Sequence, residues 1–474
     1  MAQSQMVKTL EVCKVAPPPD LSRSAIPKSL PLTFFDLFWL RSPPFQNLFF
    51  YEIPSQNTLQ FEYSIIPKLK QSLSLTLHHY LPLAGNLTWP QHSHKPIIKY
   101  VGGDGVSLTI AESNMDFYHL TSNHYRQETD YHLLLPQLEV FDERAAAMAL
   151  QVTLFPNSGF SIGITAHHAI LDGKTSTLFI KSWAQICKAG ADSPALVHQL
   201  TPFYNREVIK DPTGLDSIYI TQWLRQGGPN NRSLMIFDSV VPPDLVRATF
   251  EFTKDHIQKL RKCVYEKNSS KPPVHITSLS LACAFILVCV VRASENHVKK
   301  NRLAKFVFGV DCRYRLKPAI PSTYFGNCAI GRPAIVETKD LLGEDGILSA
   351  LEGISEAIAS LDDGLLDGVD SWASLINSKE PDEIPPTACI AWSPRFQVYN
   401  TDFGWGAPKK FEMTSIGRTG AICMSDSKNG NGGFEIGMVS QMKKIEAFAS
   451  SFAKGLEALC NVRQSNSRAV VEFG

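Results

Sequence analysis

A mixed α and β fold in two lobes is what this sequence predicts, on three observations. Helix-like and strand-like apolar periods interleave along the chain without the regular βαβ spacing of a Rossmann or TIM layout. Between about residues 190 and 245 periodicity fades and Gly, Pro and Asn accumulate ("RQGGPNN"), as expected of a connection between lobes. The composition is globular, with 44% hydrophobic and 19% charged residues, which supports a sizeable core and excludes the disordered and collagen-like classes. The expected division is a first lobe over 1–190, a crossover over 191–245 and a second lobe over 246–474.

Along the first lobe, "APPPDLSRSAIPKSLP" reads as an irregular N-terminal lead-in. From Ile66, apolar residues at 69, 73, 77 and 81 follow helical spacing until Pro82 and Gly85 of "LPLAGNL" end the run. "AAMALQVTLF" and "GFSIGITA" are strand-like runs separated by "PNS", so 146–166 predicts a hairpin. Leu178, Phe179, Trp183 and Ile186 then mark a helix. In the second lobe, "KDHIQKLRKCVYEK", 276–291 and "LLGEDGILSALEGISEAIASL" read as helices and "KFVFGVDCR" as a buried strand. "GAICMSDSKNGNGGFEIGMV" reads as a hairpin about an Asn-Gly turn, and Lys443–Cys460 as an amphipathic helix. The run 276–291, "ITSLSLACAFILVCVV", is apolar, but too short and too hydroxylated at Thr277, Ser278 and Ser280 for a membrane span; a buried helix is expected.

Forty-six Lys and Arg balance forty-five Asp and Glu, so no broad field recommends nucleic acid or an anionic membrane, and small molecules are the expected ligands. The ten cysteines stand singly, without CxxC pairs, and read as reduced thiols. With no apolar leader at the N-terminus, the cytosol is the expected compartment.

The segment "TAHHAILDGKTS" (165–176) carries the strongest chemical signal. His168 and Asp172 stand four apart where a strand gives way to a helix, and a neutral imidazole with a pKa of about 6.5 suits a general base. A histidine satisfied by local hydrogen bonds, with Asp172 or Gly173 supporting the helix start, is the plainer alternative. No third ligand cluster such as HExxH or CxxC accompanies the pair, so no metal is expected. Gly159–Gly163, "GFSIG", matches the GxSxG elbow of serine hydrolases through Ser161. That elbow needs a sharp turn at the serine, and here the strand pattern runs on through Ile164 to Ala166.

"HHAILDG" (167–173) and "DFGWG" (402–406) together resemble the two signatures of the plant BAHD acyl-CoA-dependent acyltransferases, in the right order and at a fitting separation. "LPLTFFDLFWL" (30–40), "LPLAGNL", "VDCR" (310–313) and "YFGNC" (324–328) extend the likeness along nearly the whole chain, toward the clade that acylates anthocyanins and other phenolic glucosides. The resemblance implies a chloramphenicol-acetyltransferase-like pair of similar lobes with a channel between them. His168 would be the general base in that channel, taking the proton from an acceptor hydroxyl that attacks an acyl-CoA thioester in a ternary complex, with no acyl-enzyme. Asp172 would be structural and paired with Arg313. Asp402, Phe403, Gly404, Trp405 and Gly406 would be architectural, and Trp392 a possible donor to the oxyanion. For CoA phosphates, Thr277 and Ser278 at a helix start are candidates, with Lys271 nearby.

By the same resemblance, "LDGKTS" and "VDCRYRL…IPSTYFGNC" favour malonyl-CoA as donor, with Lys174 a candidate cation for its carboxylate and the sugar 6-hydroxyl of a flavonoid or phenolic glucoside as acceptor. A hydroxycinnamoyl-CoA donor, coumaroyl or caffeoyl, is the alternative within the family; a hydrolase using Ser161, or an inactive binding protein, are the alternatives outside it. Acyl-CoA is a co-substrate, no cofactor is expected to be held permanently, and a monomer is implied.

Overall fold

The strands read over 146–166 form the hairpin at the heart of the first sheet: Met148–Phe155 and Gly159–Ala166 pair antiparallel. Every residue of both is buried. That burial on both faces explains why the two runs are continuously apolar instead of alternating. The computed structural model describes residues 6–19, 26–53, 58–190, 196–237, 240–267, 276–294, 302–369 and 387–469. Lys271 lies outside them.

The first sheet has six strands, in the order Val7–Val15, Val106–Ser113, Met148–Phe155, Gly159–Ala166, Phe45–Glu52 and Lys410–Met413. The helices Ile66–His79 and Gly173–Ala189 pack together and contribute to the same core. The second sheet has seven strands, in the order Ala329–Glu337, Leu303–Asp311, Thr387–Ala391, Ile422–Asp426, Phe434–Gln441, Leu245–Phe252 and Arg126–Gln127. The apolar run 276–291 is the helix Ser278–Ala293, packed between Gly346–Asp363 and Met442–Ala469 in a second core. A helix apolar all round is buried all round, which accounts for its membrane-like composition. No helix among the described residues is long and apolar enough to cross a membrane.

The strand pairing crosses the expected division twice. Lys410–Met413, far into the second half of the chain, adds to the first sheet beside Phe45–Glu52. In return, Arg126 and Gln127 of the first half pair with Arg247 and Val246 in the second sheet. Arg126 thereby stands directly opposite Arg247, a pairing of like charges that would be unfavourable alone. Two carboxylates resolve it: Glu412 reaches Arg126 at 2.7 Å and Arg247 at 2.8 Å, and Glu128 reaches Arg247 at 2.8 Å.

Two expectations are corrected in detail, and one strand falls outside them. The crossover 191–245 is not wholly irregular, for it contains the helix Leu215–Arg225, whose Leu215, Tyr219, Ile220 and Trp223 are buried. Flanking Gly and Pro masked that stripe in the composition. The N-terminal lead-in is preceded by a regular strand, Val7–Val15, on the edge of the first sheet. The single helical stretch beginning at Leu341 is two helices, Thr338–Leu342 and Gly346–Asp363, separated at Gly343.

Candidate active site

The strand Gly159–Ala166 ends one residue before His167, and the turn that follows presents His168 before the helix Gly173–Ala189 begins. His167 is fully buried; its Nδ1 accepts from the Ala169 N–H at 3.3 Å, which shapes the turn. His168 is half-buried, with its imidazole stacked on the Trp39 indole, ring centres 3.9 Å apart and planes within 4°. Phe45 meets the same imidazole edge-on at 5.8 Å. Its carbonyl accepts from Asn327 Nδ2 at 3.0 Å, and Asn327 is itself held through both nitrogens by Asp36 Oδ1, at 2.8 and 3.0 Å. Burial pushes the His168 imidazole down to about 4, against the opposing pull of its own carbonyl and of Asp172. The ring is therefore neutral and proton-accepting across the ordinary cellular range. Its Nδ1 is buried without a hydrogen-bond partner, leaving Nε2 as the accessible nitrogen.

Asp172 faces away from the imidazole into a dense polar joint. Its Oδ1 caps the helix by accepting from the Thr175 N–H at 2.8 Å. Its Oδ2 lies 2.9 Å from Arg313 Nη1 and accepts from the Cys328 N–H at 3.1 Å. Arg313 is fully buried and also reaches Asp311 at 3.0 Å and the carbonyls of Tyr324 and Gly326 at 3.1 and 3.0 Å. One guanidinium thus ties the helix start to "DCR" and to "YFGNC". A neutral amide at position 172 keeps the shape but loses the charge-assisted bond. Asp172→Asn is expected to lower kcat by about tenfold and to leave KM nearly unchanged, through a loosened His168 turn; unchanged kcat would show that this joint does not brace the turn.

Trp392 completes the aromatic group. Phe45 lies 5.7 Å from it, so that one phenyl ring touches both Trp392 and His168. Phe396 and Phe411 flank it at 5.0 and 4.9 Å. Its Nε1 is buried with no partner among the described residues, an unspent donor in the group around the base. Its backbone has φ +69°, a left-handed conformation that a bulky side chain adopts only under constraint. Gly173 is what lets this loop come so close: a Cβ there would stand 2.9 Å from Phe396 Cε2 and 3.3 Å from the Trp392 ring. Gly173→Ala is expected to push both rings aside, lowering kcat by about tenfold and stability by about 1–3 kcal/mol, as read by steady-state kinetics and thermal unfolding. Full activity with an unshifted midpoint would contradict this.

Other expected residues lie elsewhere or are already engaged. Lys174 Nζ pairs with Asp311 at 2.8 Å and donates to the Tyr314 hydroxyl at 3.2 Å, so its charge is matched within the protein. Thr277 and Ser280 cap one another at the start of Ser278–Ala293. Ser278 Oγ accepts from Arg261 Nη2 at 3.2 Å. That helix belongs to the second core, whereas the residues around His168 belong to the first. Ser161 is a fully buried mid-strand residue opposite Phe50 and Thr153, without the turn of a nucleophile elbow.

The "DFGWG" loop sits at the other end of the helix Gly173–Ala189 from His168. Asp402 Oδ2 meets Lys188 at 2.6 Å, and its Oδ1 accepts from Gly404 and Gly406 N–H groups at 2.8 Å each. Both glycines have φ near +100° (+104° and +95°), which this tight path requires. Phe403 is fully buried against Tyr51 and Trp183, and Trp405 lies edge-on to Phe160. The loop thus anchors the incoming Lys410–Met413 strand to the first sheet.

Trp39, Phe45, Asp36 and Asn327 carried no individual role in the sequence. Three of them stand in the quoted segments "LPLTFFDLFWL" and "YFGNC", which was the available signal.

The sequence profile of the Transferase family matches residues 11–454. Malonyl-CoA:anthocyanidin 5-O-glucoside-6''-O-malonyltransferase of Arabidopsis thaliana is 37% identical over 463 residues, covering 95% of this chain and 98% of that protein. Phenolic glucoside malonyltransferase 2, also of Arabidopsis thaliana, is 40% identical over 468 residues, covering 95% and 100%. Among solved structures, that of vinorine synthase superposes with a TM-score of 0.69 at 19% identity, covering 93% of this chain and 96% of that one, which makes the fold the same.

Proposed function

This chain belongs to the BAHD acyl-CoA-dependent acyltransferases, the Transferase family, and on that premise we propose that it transfers a malonyl group from malonyl-CoA to a sugar hydroxyl, the 6-hydroxyl, of a phenolic or anthocyanin glucoside. The observation that carries the reading is identity of 37–40% along 95% of the chain with proteins named for malonyl transfer to such glucosides.

The geometry supports a direct, ternary-complex reaction. His168 Nε2 accepts the proton of the sugar hydroxyl as its oxygen attacks the thioester carbonyl. The carbonyl electrons move onto oxygen, where the unspent Trp392 Nε1–H is the donor at hand. Collapse of the tetrahedral species re-forms the carbonyl and breaks the C–S bond. The imidazolium then returns its proton to the departing CoA thiolate. Asp172 and Arg313 take no part in proton transfer and hold the turn. Ser161 is not needed, because the acyl group passes directly to the acceptor. The reading includes a monomer and a cytosolic compartment, the latter supported by the cysteines, which are free at the nine positions whose side chains are described.

The test offers malonyl-CoA and p-coumaroyl-CoA in competition to a panel of flavonoid and simple phenolic glucosides, read by mass spectrometry. A malonyl mass gain that vanishes in His168→Ala is the expected result. A coumaroyl gain alone would overturn the donor and leave the acyl transfer. No gain from either donor would overturn the reading.

A further inference from the structure

Among the described residues no side chain hydrogen-bonds His168 Nδ1, so no carboxylate fixes the ring plane through that nitrogen. Among the described residues, the ring lying parallel to it is Trp39, at 3.9 Å and 4°. Trp39 is itself well held. It sits on the turn after the helix Phe34–Leu37; its N–H donates to the Asp36 carbonyl at 3.0 Å, and Phe38 abuts it edge-on at 4.7 Å. The same turn supplies Asp36, which holds Asn327 on the His168 carbonyl. One helical turn, more than a hundred residues upstream, therefore governs the base twice, through its main chain and through its ring.

We propose that Trp39 is a positioning residue for His168: its indole covers one face of the imidazole, fixing the ring plane and keeping water off it. The proposal rests on the reading of His168 as the base. A covered imidazole is oriented before the acceptor arrives, and reorientation then adds nothing to the barrier. The titratable groups around the imidazole are His167 on its own segment, Asp172 with Arg313 at the helix start, and Asp36 with Arg206 on the turn that carries Trp39. The two acids are already paired, Asp172 with Arg313 at 2.9 Å and Asp36 with Arg206 at 3.6 Å. Trp39 and Phe45 are the uncharged rings against the imidazole, and of the two Trp39 covers the face.

The experiment compares Trp39→Leu and Trp39→Phe with the wild type by two readouts. In steady-state kinetics with malonyl-CoA and a phenolic glucoside, Trp39→Leu is expected to lower kcat by about 10–100-fold with KM for the acyl-CoA nearly unchanged, and Trp39→Phe to restore most of it. In nitrogen-15 NMR titration of the labelled histidines, with His168→Gln assigning the signal, the His168 titration is expected to move by about one unit in Trp39→Leu relative to the wild type, upward where lost cover dominates and downward where the lost cation–π attraction does. An unmoved His168 titration in Trp39→Leu overturns the proposal, whatever happens to kcat. If the wild type transfers no acyl group, the functional reading fails while the titration still decides the role of Trp39.

Discussion

Replacing His168 by alanine is expected to lower kcat by about 10²–10⁴-fold, the range a positioned general base supplies. KM for acyl-CoA should change little, because the side chain acts on the acceptor hydroxyl and not on CoA. The pH profile checks the same point independently. With the folded imidazole pushed down to about 4 by burial, the proton-accepting form persists well below neutrality and is lost only as pH falls through that value. The profile of kcat/KM is thus expected to be flat from about pH 8 down to about pH 5 and to fall below, instead of breaking near the ordinary histidine value of about 6.5. A variant keeping more than about a tenth of wild-type kcat, or a wild-type break near 6.5, would remove His168 from the role assigned to it.

His167 and His168 also set an acid limit on folding. In the unfolded chain His167 and His168 take up protons near the ordinary value of about 6.5, whereas in the folded chain they refuse them until about 3 and about 4. Where the unfolded state binds more protons, stability rises with pH. Stability is therefore expected to decline as pH falls from about 6.5 toward about 3, which a series of urea midpoints would read. Acidic assays of the wild type need this control, since loss of fold and loss of the base fall on the same side of neutrality.

How much of this was legible in the sequence follows from the range of the interactions. The Asp172 cap on Thr175 spans three residues and the hairpin about 156–158 spans one turn, so both leave a local pattern. The pairing of Asp172 with Arg313 crosses 141 positions and was expected only from family likeness, not from any spacing. The stack of Trp39 on His168 left no trace of its own, because an aromatic at the end of a short helix has no period that names its partner. The partner of Lys174 was hidden for the same reason. At the first turn of a helix the lysine reads as a free cation, and its partner Asp311 is 137 residues away. Nor could composition show the exchange of strands between the sheets, since Lys410–Met413 is only four residues long and two of them, Lys410 and Glu412, are charged, which hides a buried strand.

That exchange underlies the largest expected effect on stability. Glu412, on the exchanged strand, is buried between Arg126 and Arg247, and each arginine is itself fully buried. Burial raises the Glu412 carboxyl, but Arg126, Arg247 and Lys410 outweigh it and hold the group down to about 2. Glu412→Ala leaves the two facing arginines with only Glu128 between them, one uncompensated positive charge in the interior. Removing one partner of such a buried group costs about 3–5 kcal/mol, far more than loss of an exposed pair. The expected result is a lower urea midpoint by that amount at neutral pH. The wild-type contribution itself should be present above the ordinary glutamate value and be lost as pH falls toward about 2. The neighbouring Phe411 lies against Trp392 at 4.9 Å, so loosening this strand also frees the indole beside the base. Activity in Glu412→Ala should therefore fail at a lower urea concentration than the global unfolding signal, whereas the wild type should lose both together. A variant within about 1 kcal/mol of wild type would mean that the cluster is worth no more than a surface pair; coincident loss of activity and fold in Glu412→Ala would mean that the exchanged strand does not hold the site.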